Sequence, residues 1–476
     1  MIVEVKEGKL EGTTNKSVLT GKEYYSFLGI PYAKPPIGDL RFRPPVRIEK
    51  WNGILDAKKE ASPCIQFNRE NGEIIGSEDC LFLNIHTPEP PSEIKIVKPV
   101  MVYIHGGAFK FGSGANKFLG ADYLINYDII CVTLNYRLHT LGFLNLGINE
   151  CAGNCGLKDQ LLALKWIKEN IAQFGGDRNN ITIFGGSAGA VSIHLHIISP
   201  LSKGIFNKAI LQSGTALSAR SLTENPIEKA FKLGRELGFE GNDPKEFTEF
   251  LKKQSAEHLL IASEKTQLIY YKETIGKSSP LKFSPSIETI KENAFLPDHP
   301  KNLFKTAEQM PLLAGLNDKE GRLVFSDYYP DLIQSLQEDF TNIIKQNVPC
   351  HPSKIKELSD KVQKFHFGDK LIRSETYEEL TDLYTGLLFR NFYDSLEYIE
   401  EFNFPVYLYE FSFHGKFNIY SKIYTKNATT GACHADEVPY LFHMNPFGKT
   451  ISKIEEPEKT VINNMCTMWT NFAKTG

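Results

Sequence analysis

The sequence has neither an excess of one charge nor a long apolar run. Its 476 residues contain 54 Lys and Arg against 57 Asp and Glu, so the net charge is −3. This balance, without any long basic block, argues against a nucleic-acid partner. The apolar runs, such as residues 129–134, are strand-sized and fall short of the roughly 18–20 residues that cross a bilayer. We therefore expect no nucleic-acid partner and no membrane span.

Two further absences concern targeting and metals. The N-terminus, MIVEVKEGKLEG, lacks the charged and apolar regions of a secretory signal. This predicts a cytoplasmic protein, or a secreted one if the chain is a processed form. Among the eight cysteines, Cys151 and Cys155 are close together, but no Cys or His nearby completes a zinc site. No metal is predicted.

Strand-like and helix-like segments alternate from residue 97 onward. Continuous apolar runs predict buried strands at residues 100–104, 129–134, 181–184, 311–314 and 406–409. Apolar residues three and four apart predict a helix over 157–174. Such alternation favours an α/β fold with a mostly parallel sheet and helices on both faces. Reactive groups gather where the parallel strands have their carboxyl ends, which we call the active end of the sheet. The more polar segments 217–300 and 328–400 are interpreted as helical excursions that cover this end. Residues 1–476 are predicted to form one domain.

The strand predicted at residues 181–184 leads into a glycine-flanked serine. Gly-Gly-Ser-Ala-Gly at residues 185–189 fits the G-x-S-x-G turn that exposes a nucleophilic serine between a strand and a helix. The same residue types also fill ordinary loops, so the motif alone leaves both interpretations of Ser187 open. A serine nucleophile needs a base and an acid that orients the base. In α/β-hydrolases these residues follow in the order serine, acid, histidine.

Several residues fit that order. After the strand at 311–314, Asp318 and Glu320 both qualify as the acid, although a turn and a helix start would also place carboxylates here. Of the twelve histidines, five lie late enough to be the base: His351, His366, His414, His434 and His443. His414 directly follows a predicted strand and His434 lies on a later loop. Spacing alone does not separate these two.

A second partial signature follows the strand at 100–104. Residues 105–108, His-Gly-Gly-Ala, match the HGGG-type turn whose backbone N–H groups, with that of Ala188, bind the oxyanion of an acyl-transfer reaction. A simple Gly-Gly turn would look the same. Two such signatures, each after a strand and in the right chain order, predict a serine hydrolase.

Longer motifs give the chain a family resemblance. They are PYAKPP at 31–36, LRF at 40–42, SEDCLFLN at 77–84, NYR at 135–137, GLKDQ at 156–160 and LQSG at 211–214. Over nearly the whole chain and in this order, they resemble the type-B carboxylesterases, the cholinesterase-like family, and in particular the insect α-esterases and E4-type esterases. The resemblance implies an α/β-hydrolase fold and hydrolysis of small-molecule carboxylic esters without a cofactor.

The resemblance also implies a site. In the family the acid belongs to an N-x-x-E-G turn and the base to an H-A-D-E stretch, which match Glu320 and His434. The oxyanion donors match Gly107, Ala108 and Ala188. With the motif serine, these residues would form a complete acyl-transfer site.

Three contacts outside the catalytic set are implied as well. They are a disulfide between Cys64 and Cys80 and ion pairs of Arg41 with Glu78 and of Arg137 with Asp177. A disulfide conflicts with a reducing cytosol. The implied disulfide and the predicted cytoplasmic location therefore weaken each other.

The chain departs from the family pattern at positions that bear on activity. Gly186 replaces the usual Glu before the serine, which removes a carboxylate near the catalytic histidine, and Ala108 replaces a Gly of the oxyanion turn. The sequence ends at Gly476, before the family's last strand-and-helix segment, so we expect exposed apolar surface and lower stability. Residues 65–79 contain no Trp, which argues against a dedicated choline esterase.

We therefore expect a serine carboxylesterase for small or lipophilic esters, with broad or detoxifying specificity. One alternative is a slow-turnover scavenger of lipophilic or organophosphate compounds, which Gly186 favours. The other is a non-catalytic adhesion protein of the same fold, which the retained serine disfavours.

Overall fold

The computed structural model describes residues 1–93, 96–218, 221–273, 283–325, 329–348, 350–425, 429–444 and 454–476. The strands are β1 (Ile2–Val5), β2 (Gly8–Glu11), β3 (Thr13–Lys16), β4 (Glu23–Pro31), β5 (Ile54–Asp56), β6 (Gln66–Phe67), β7 (Ile74–Ile75), β8 (Phe82–Thr87), β9 (Lys98–Ile104), β10 (Ile130–Leu134), β11 (Gly176–Gly186), β12 (Lys208–Gln212), β13 (Leu312–Asn317) and β14 (Val406–Phe411). The α-helices are α1 (Asn116–Leu119), α2 (His139–Phe143), α3 (Cys155–Asn170), α4 (Ala188–Ile198), α5 (Pro226–Glu236), α6 (Pro244–Lys252), α7 (Ala256–Glu273), α8 (Pro300–Leu303), α9 (Tyr329–Glu338), α10 (Thr341–Asn347), α11 (Ile355–Phe367), α12 (Tyr377–Glu401), α13 (Ile419–Tyr424) and α14 (Glu458–Thr475). Short 3₁₀ helices include Ile171–Phe174, Glu320–Phe325 and Val438–Tyr440.

A mixed sheet forms the centre of the described part of the chain. Its strand order is β14-β13-β12-β11-β9-β10-β8-β4-β3. From β10 to β14 neighbouring strands are parallel, whereas β8, β4 and β3 continue the sheet with antiparallel pairing. The predicted, mostly parallel α/β sheet is confirmed. Parallel strands end at the same edge, so the loops after β9, β11, β12 and β13 meet there.

Alternate residues of the central strand β9 face two different cores. Val100, Val102 and Ile104 belong to a core that also contains residues of α3 and α4. Met101 and Tyr103 belong to a second core with residues of α14. Because successive side chains of a strand point to opposite faces, helices cover both faces of the sheet.

The predicted elements form, with one error in burial. The strands expected at 100–104, 129–134, 181–184 and 311–314 lie within or overlap β9, β10, β11 and β13, and the helix expected at 157–174 is α3 followed by a 3₁₀ helix. Residues 406–409 form β14, but Tyr407 is 56% and Leu408 59% exposed. The prediction of burial was wrong because β14 is the edge strand, with β13 as its neighbour in the sheet.

The two polar segments form helices α5–α7 and α9–α12. Residues 219–220, 274–282, 328 and 349 of these segments lie outside the described residues. Both segments reach the active end of the sheet, since Glu264 of α7 contacts Lys110, and Phe389 of α12 lies against His434. Among the helices of the described ranges, none has both the length and the apolar character that crossing a bilayer requires.

Candidate active site

Ser187 lies at the turn between β11 and α4. Its backbone angles, φ 57° and ψ −123°, fall outside the regions that L-residues favour. Such strain is typical of a nucleophile turn between a strand and a helix. The N–H of Ser187 donates to the carbonyl oxygen of Gln212 at 2.8 Å, which ties the turn to β12. The residue is partly exposed while its chain neighbours are buried.

Two of the three glycines in this turn are required by packing. A Cβ on Gly185 or Gly189 would overlap the carbonyl oxygen of Ile104 at the end of β9. A Cβ on Gly186 would have its nearest described neighbour 3.6 Å away and would lie 3.8 Å from Glu437 Oε1. These are ordinary contact distances. The turn therefore does not require a glycine at position 186.

Glu320 and His434 form a buried hydrogen-bonded pair. His434 Nδ1 lies 2.6 Å from Glu320 Oε2. Because a carboxylate only accepts hydrogen bonds, Nδ1 carries the proton and Nε2 is the basic nitrogen. Glu320 is fully buried and also accepts from the backbone N–H of Asn317 at 2.9 Å and from the hydroxyl of Ser213. Three hydrogen bonds therefore orient this carboxylate.

The other acids and histidines considered from the sequence have different partners. Asp318 accepts from the backbone N–H of Ala432 at 2.7 Å and so stabilises a turn. His414 Nδ1 lies 3.1 Å from the carbonyl oxygen of Gly431. The remaining histidines contact other residues: His351 with Ser353, His366 with Phe365 and His443 with Asp122. The structure brings Glu320 and His434 together and leaves the alternatives elsewhere.

Strand β12 and the residue after it join the serine turn to the hydrogen-bonded pair of Glu320 and His434. The backbone carbonyl oxygen of Gln212 accepts a hydrogen bond from the N–H of Ser187, and the hydroxyl of the next residue, Ser213, donates to Glu320. A Cβ on Gly214 would overlap the carbonyl oxygen of Ser187, so this segment packs directly on the turn. From the sequence, LQSG was only a family motif, and the contact of Ser213 with Glu320 was not predicted. The contact could have been anticipated because Ser213 follows β12, whose end lies at the same edge of the sheet as the ends of β11 and β13.

A second buried carboxyl group, that of Glu437, lies behind the pair and was also missed. Its Oε1 accepts from Gln212 Nε2 at 3.0 Å and its Oε2 from Asn317 Nδ2 at 2.7 Å. Burial, followed by the negative charge of Glu320, raises the pKa of Glu437 to about 7. Although Gly186 replaces the family's usual Glu, the site therefore keeps a carboxyl group close to that position.

The turn after β9 has an unusual backbone. Gly107, Ala108 and Phe109 have φ values of 104°, 55° and 60°. For residues other than glycine this left-handed conformation costs about 1–2 kcal/mol each. Phe109 is completely buried and packs edge-to-face on Phe143 with ring centroids 4.9 Å apart. Packing of the Phe109 ring therefore holds one side of the turn.

This turn lies against the serine and presents backbone donors. A Cβ on Gly106 would be 3.2 Å from the Cβ of Ser187. Among the hydrogen bonds of the described residues, none uses the backbone N–H of Gly107 or Ala108. Ala188 is the first residue of α4, where N–H groups have no acceptor within the helix. These three N–H groups are of the type that binds an oxyanion.

Together, these features suit acyl transfer. A serine at a strained turn, an imidazole held by a buried carboxylate and N–H groups with no acceptor among the described residues are the three parts that a serine hydrolase site requires. In the described part of the chain, no three His, Cys, Asp or Glu side chains gather where they could hold a metal ion.

A family model for the carboxylesterase family matches residues 1–476. The chain belongs to the carboxylesterase family. Esterase FE4 of Myzus persicae is 36% identical over 100% of this chain and 84% of that protein, and juvenile hormone esterase of Tribolium castaneum is 32% identical over 99% and 83%. The crystal structure of juvenile hormone esterase from Manduca sexta, with OTFP covalently attached, is similar with a TM-score of 0.85 and 29% identity, covering 100% of this chain and 90% of that one.

Family membership confirms the predicted class of activity. The carboxylesterase has the α/β-hydrolase fold and hydrolyses carboxylic esters. Its relatives are esterases over the full length of this chain, which does not favour the non-catalytic adhesion alternative.

Two of the contacts that the resemblance implied are present in the carboxylesterase. Cys64 and Cys80 form a disulfide. Arg41 Nε donates to Glu78 Oε1 at 2.7 Å, and the pair is mostly buried. Both contacts lie at the base of the loop that the disulfide closes.

The third implied contact, between Arg137 and Asp177, was wrong. Arg137 pairs with Asp159 of α3, with Nη2 to Oδ1 at 2.6 Å and Nε to Oδ2 at 2.8 Å. Both partners are buried, so each charge needs the other nearby. Asp177 lies at the partly exposed start of β11 and accepts instead from the N–H of Asn179 at 2.8 Å.

Proposed function

We propose that the carboxylesterase hydrolyses neutral, small or lipophilic esters of many kinds through an acyl-enzyme on Ser187. His434 Nε2 accepts the hydroxyl proton as Ser187 Oγ bonds to the ester carbonyl carbon. The imidazolium, stabilised by Glu320, then protonates the leaving alcohol. Water, deprotonated by the same histidine, releases the carboxylic acid and restores the serine.

The oxyanion of each tetrahedral intermediate is proposed to accept hydrogen bonds from Gly107, Ala108 and Ala188. Their N–H groups come from the turn after β9 and from the start of α4, on two sides of the serine. The helix N-terminus also favours negative charge. Losing one such donor typically lowers kcat by about 10²–10³.

One observation carries the proposal: the buried hydrogen bond of 2.6 Å between His434 and Glu320. Through Ser213 and Gln212 this pair is connected to the backbone of Ser187. A histidine held in one tautomer beside a strained serine has the geometry of a general base.

The test follows hydrolysis of a short-chain nitrophenyl ester through both the burst and the steady phase. Ser187→Ala should lower steady turnover about 10⁶-fold. Ser192→Ala is the matched control, because Ser192 is a buried serine of α4 whose hydroxyl donates to the carbonyl oxygen of Ala188 at 2.9 Å. Turnover that survives Ser187→Ala contradicts the proposed nucleophile. A burst of one equivalent that then stalls in the wild type would instead support the slow-turnover scavenger.

The preference for neutral esters rests on Arg69 in the loop closed by the disulfide. Its guanidinium lies 4.6 Å from the ring centroid of Phe111, three residues after Ala108, and 6.0 Å from that of Tyr424. This cation already occupies nearby aromatic faces that a quaternary ammonium would use. Like charges repel, and even in bulk water two unit charges about 4 Å apart do so by about 1 kcal/mol, or roughly fivefold in binding.

Matched thioesters test this preference. We expect kcat/KM for neutral 3,3-dimethylbutyl thioacetate to exceed that for cationic acetylthiocholine by at least about fivefold. Arg69→Met should reduce the ratio, whereas Arg178→Met, at an exposed position of β11, should leave it unchanged. If the ratio of the two kcat/KM values is the same in the wild type and in Arg69→Met, Arg69 does not cause the preference for neutral esters.

A further inference from the structure

The turn that carries the oxyanion donors is tied to a helix distant in sequence. Lys110 Nζ lies 2.9 Å from Glu264 Oε2 and 2.8 Å from its Oε1, across a separation of 154 residues. The backbone N–H of Lys110 donates to the carbonyl oxygen of Gly107 at 2.9 Å. Glu264 of α7 therefore holds the side chain of a residue that closes the turn.

His139 lies in the same cluster. Its backbone N–H donates to the carbonyl oxygen of Phe109 at 2.8 Å, and its Nδ1 lies 3.7 Å from Glu264 Oε1. Burial, with a smaller contribution from the charge of Lys110, lowers the pKa of His139 to about 3, so the imidazole is neutral near physiological pH. Lys110 is therefore the cation of this cluster that pairs with Glu264.

The turn needs such support because its backbone is strained. Ala108 and Phe109 both have positive φ, and strained conformations persist only where the surroundings hold them. The buried ring of Phe109 anchors one side. Lys110, at the other side, is only partly buried, and its anchor is the carboxylate of Glu264.

We propose that Glu264 is a positioning residue for ester hydrolysis. By holding Lys110, it keeps the N–H groups of Gly107 and Ala108 aimed at the oxyanion that develops near Ser187. The inference rests on the oxyanion role proposed above for these groups. The rate of ester hydrolysis would then depend on α7, a helix of the segment 217–300 that reaches the active end of the sheet.

The experiment compares Glu264→Gln and Lys110→Met with the wild type, using a nitrophenyl ester and a trifluoromethyl ketone. The ketone forms a hemiketal oxyanion with the serine and so reports on the same donors. We expect kcat to fall about tenfold with KM within about twofold, because misplaced groups cost rate more than substrate binding. The inhibition constant of the ketone should rise about tenfold in parallel. A simple alcohol inhibitor, which forms no oxyanion, should bind as before.

The control is Lys265→Gln, which removes an ion pair between the same helix and Glu236. It should change neither kcat nor ketone affinity. The double variant of Glu264 and Lys110 should lose no more than either single variant, because both remove one interaction.

If the Glu264→Gln variant folds and its kcat and ketone affinity stay within twofold of the wild type, the inference is overturned. So does a rise in KM at unchanged kcat. If Glu264→Gln does not fold, Lys110→Met decides by the same measurements. Failure of the underlying mechanism is distinguishable, because turnover would then survive Ser187→Ala, or the ketone would bind the wild type no more tightly than the alcohol inhibitor does. Turnover that depends on Ser187 but not on Glu264 refutes only the positioning role.

Discussion

Replacing Glu437 by Gln tests whether a protonated carboxyl group lies behind the active site. In the folded protein, burial and the charge of Glu320 raise its pKa from 4.5 to about 7. In the unfolded chain the pKa of Glu437 has its ordinary value of 4.5. Between pH 4.5 and about pH 7, the unfolded chain therefore loses a proton that the folded protein keeps. One pKa unit corresponds to about 1.36 kcal/mol. Because of Glu437 alone, the free energy of unfolding should therefore fall by about 3 kcal/mol as the pH rises through this window.

The Glu437→Gln variant has no proton to lose at this position, so its unfolding free energy lacks this decline. The difference, variant minus wild type, should rise by about 3 kcal/mol between pH 4.5 and pH 8. Changed hydrogen bonds to Gln212 and Asn317 add a constant offset, and the other ionisable groups cancel in the difference. Urea unfolding followed by tryptophan fluorescence at a series of pH values measures it.

Glu400→Gln, at an exposed position of α12, controls for the loss of one carboxylate. A difference for Glu437→Gln that stays constant from pH 4.5 to pH 8 would refute the reasoning, because Glu437 would then have the same pKa in the folded and unfolded states. A difference that falls with pH would mean that the fold favours the charged form.

Five further substitutions test the site and the turn around Ser187. His434→Gln should lower kcat for a nitrophenyl ester by about 10⁶, whereas His414→Gln should cost less than about tenfold; equal losses would undo the choice of base. Ser213→Ala should lower kcat about tenfold, since the acid loses one of its three donors, and unchanged activity would contradict that role. Gly189→Ala should destabilise the protein by about 3 kcal/mol or more through overlap with β9, while Gly186→Ala should change stability by less than about 1 kcal/mol. Thermal unfolding measures both, and the reverse order would show that the packing argument is wrong.

Most strands of the sheet and the class of chemistry could be predicted from the amino-acid sequence. Apolar runs located β9, β10, β11 and β13, because a strand covered on both faces needs apolar side chains at successive positions. The turn around Ser187 was recognisable because two of its glycines, Gly185 and Gly189, are required locally by close approach to the end of β9. Chain order and family motifs then predicted Glu320 and His434 as acid and base, and the structure shows the two side chains hydrogen-bonded.

Contacts between groups far apart in the chain could not be predicted from spacing alone, because they depend on how the strands and helices pack. The hydroxyl of Ser213 reaches Glu320 over 107 residues, and Lys110 reaches Glu264 over 154. Spacing along the chain carries no information about such contacts, which depend on strand order and helix packing. The pair of Arg137 with Asp177, which only the family resemblance implied, was wrong, because the packing of α3 brings Asp159 to Arg137 instead. The exposure of β14 follows from its place at the sheet edge, because the same apolar run is buried in a central strand and exposed in an edge strand.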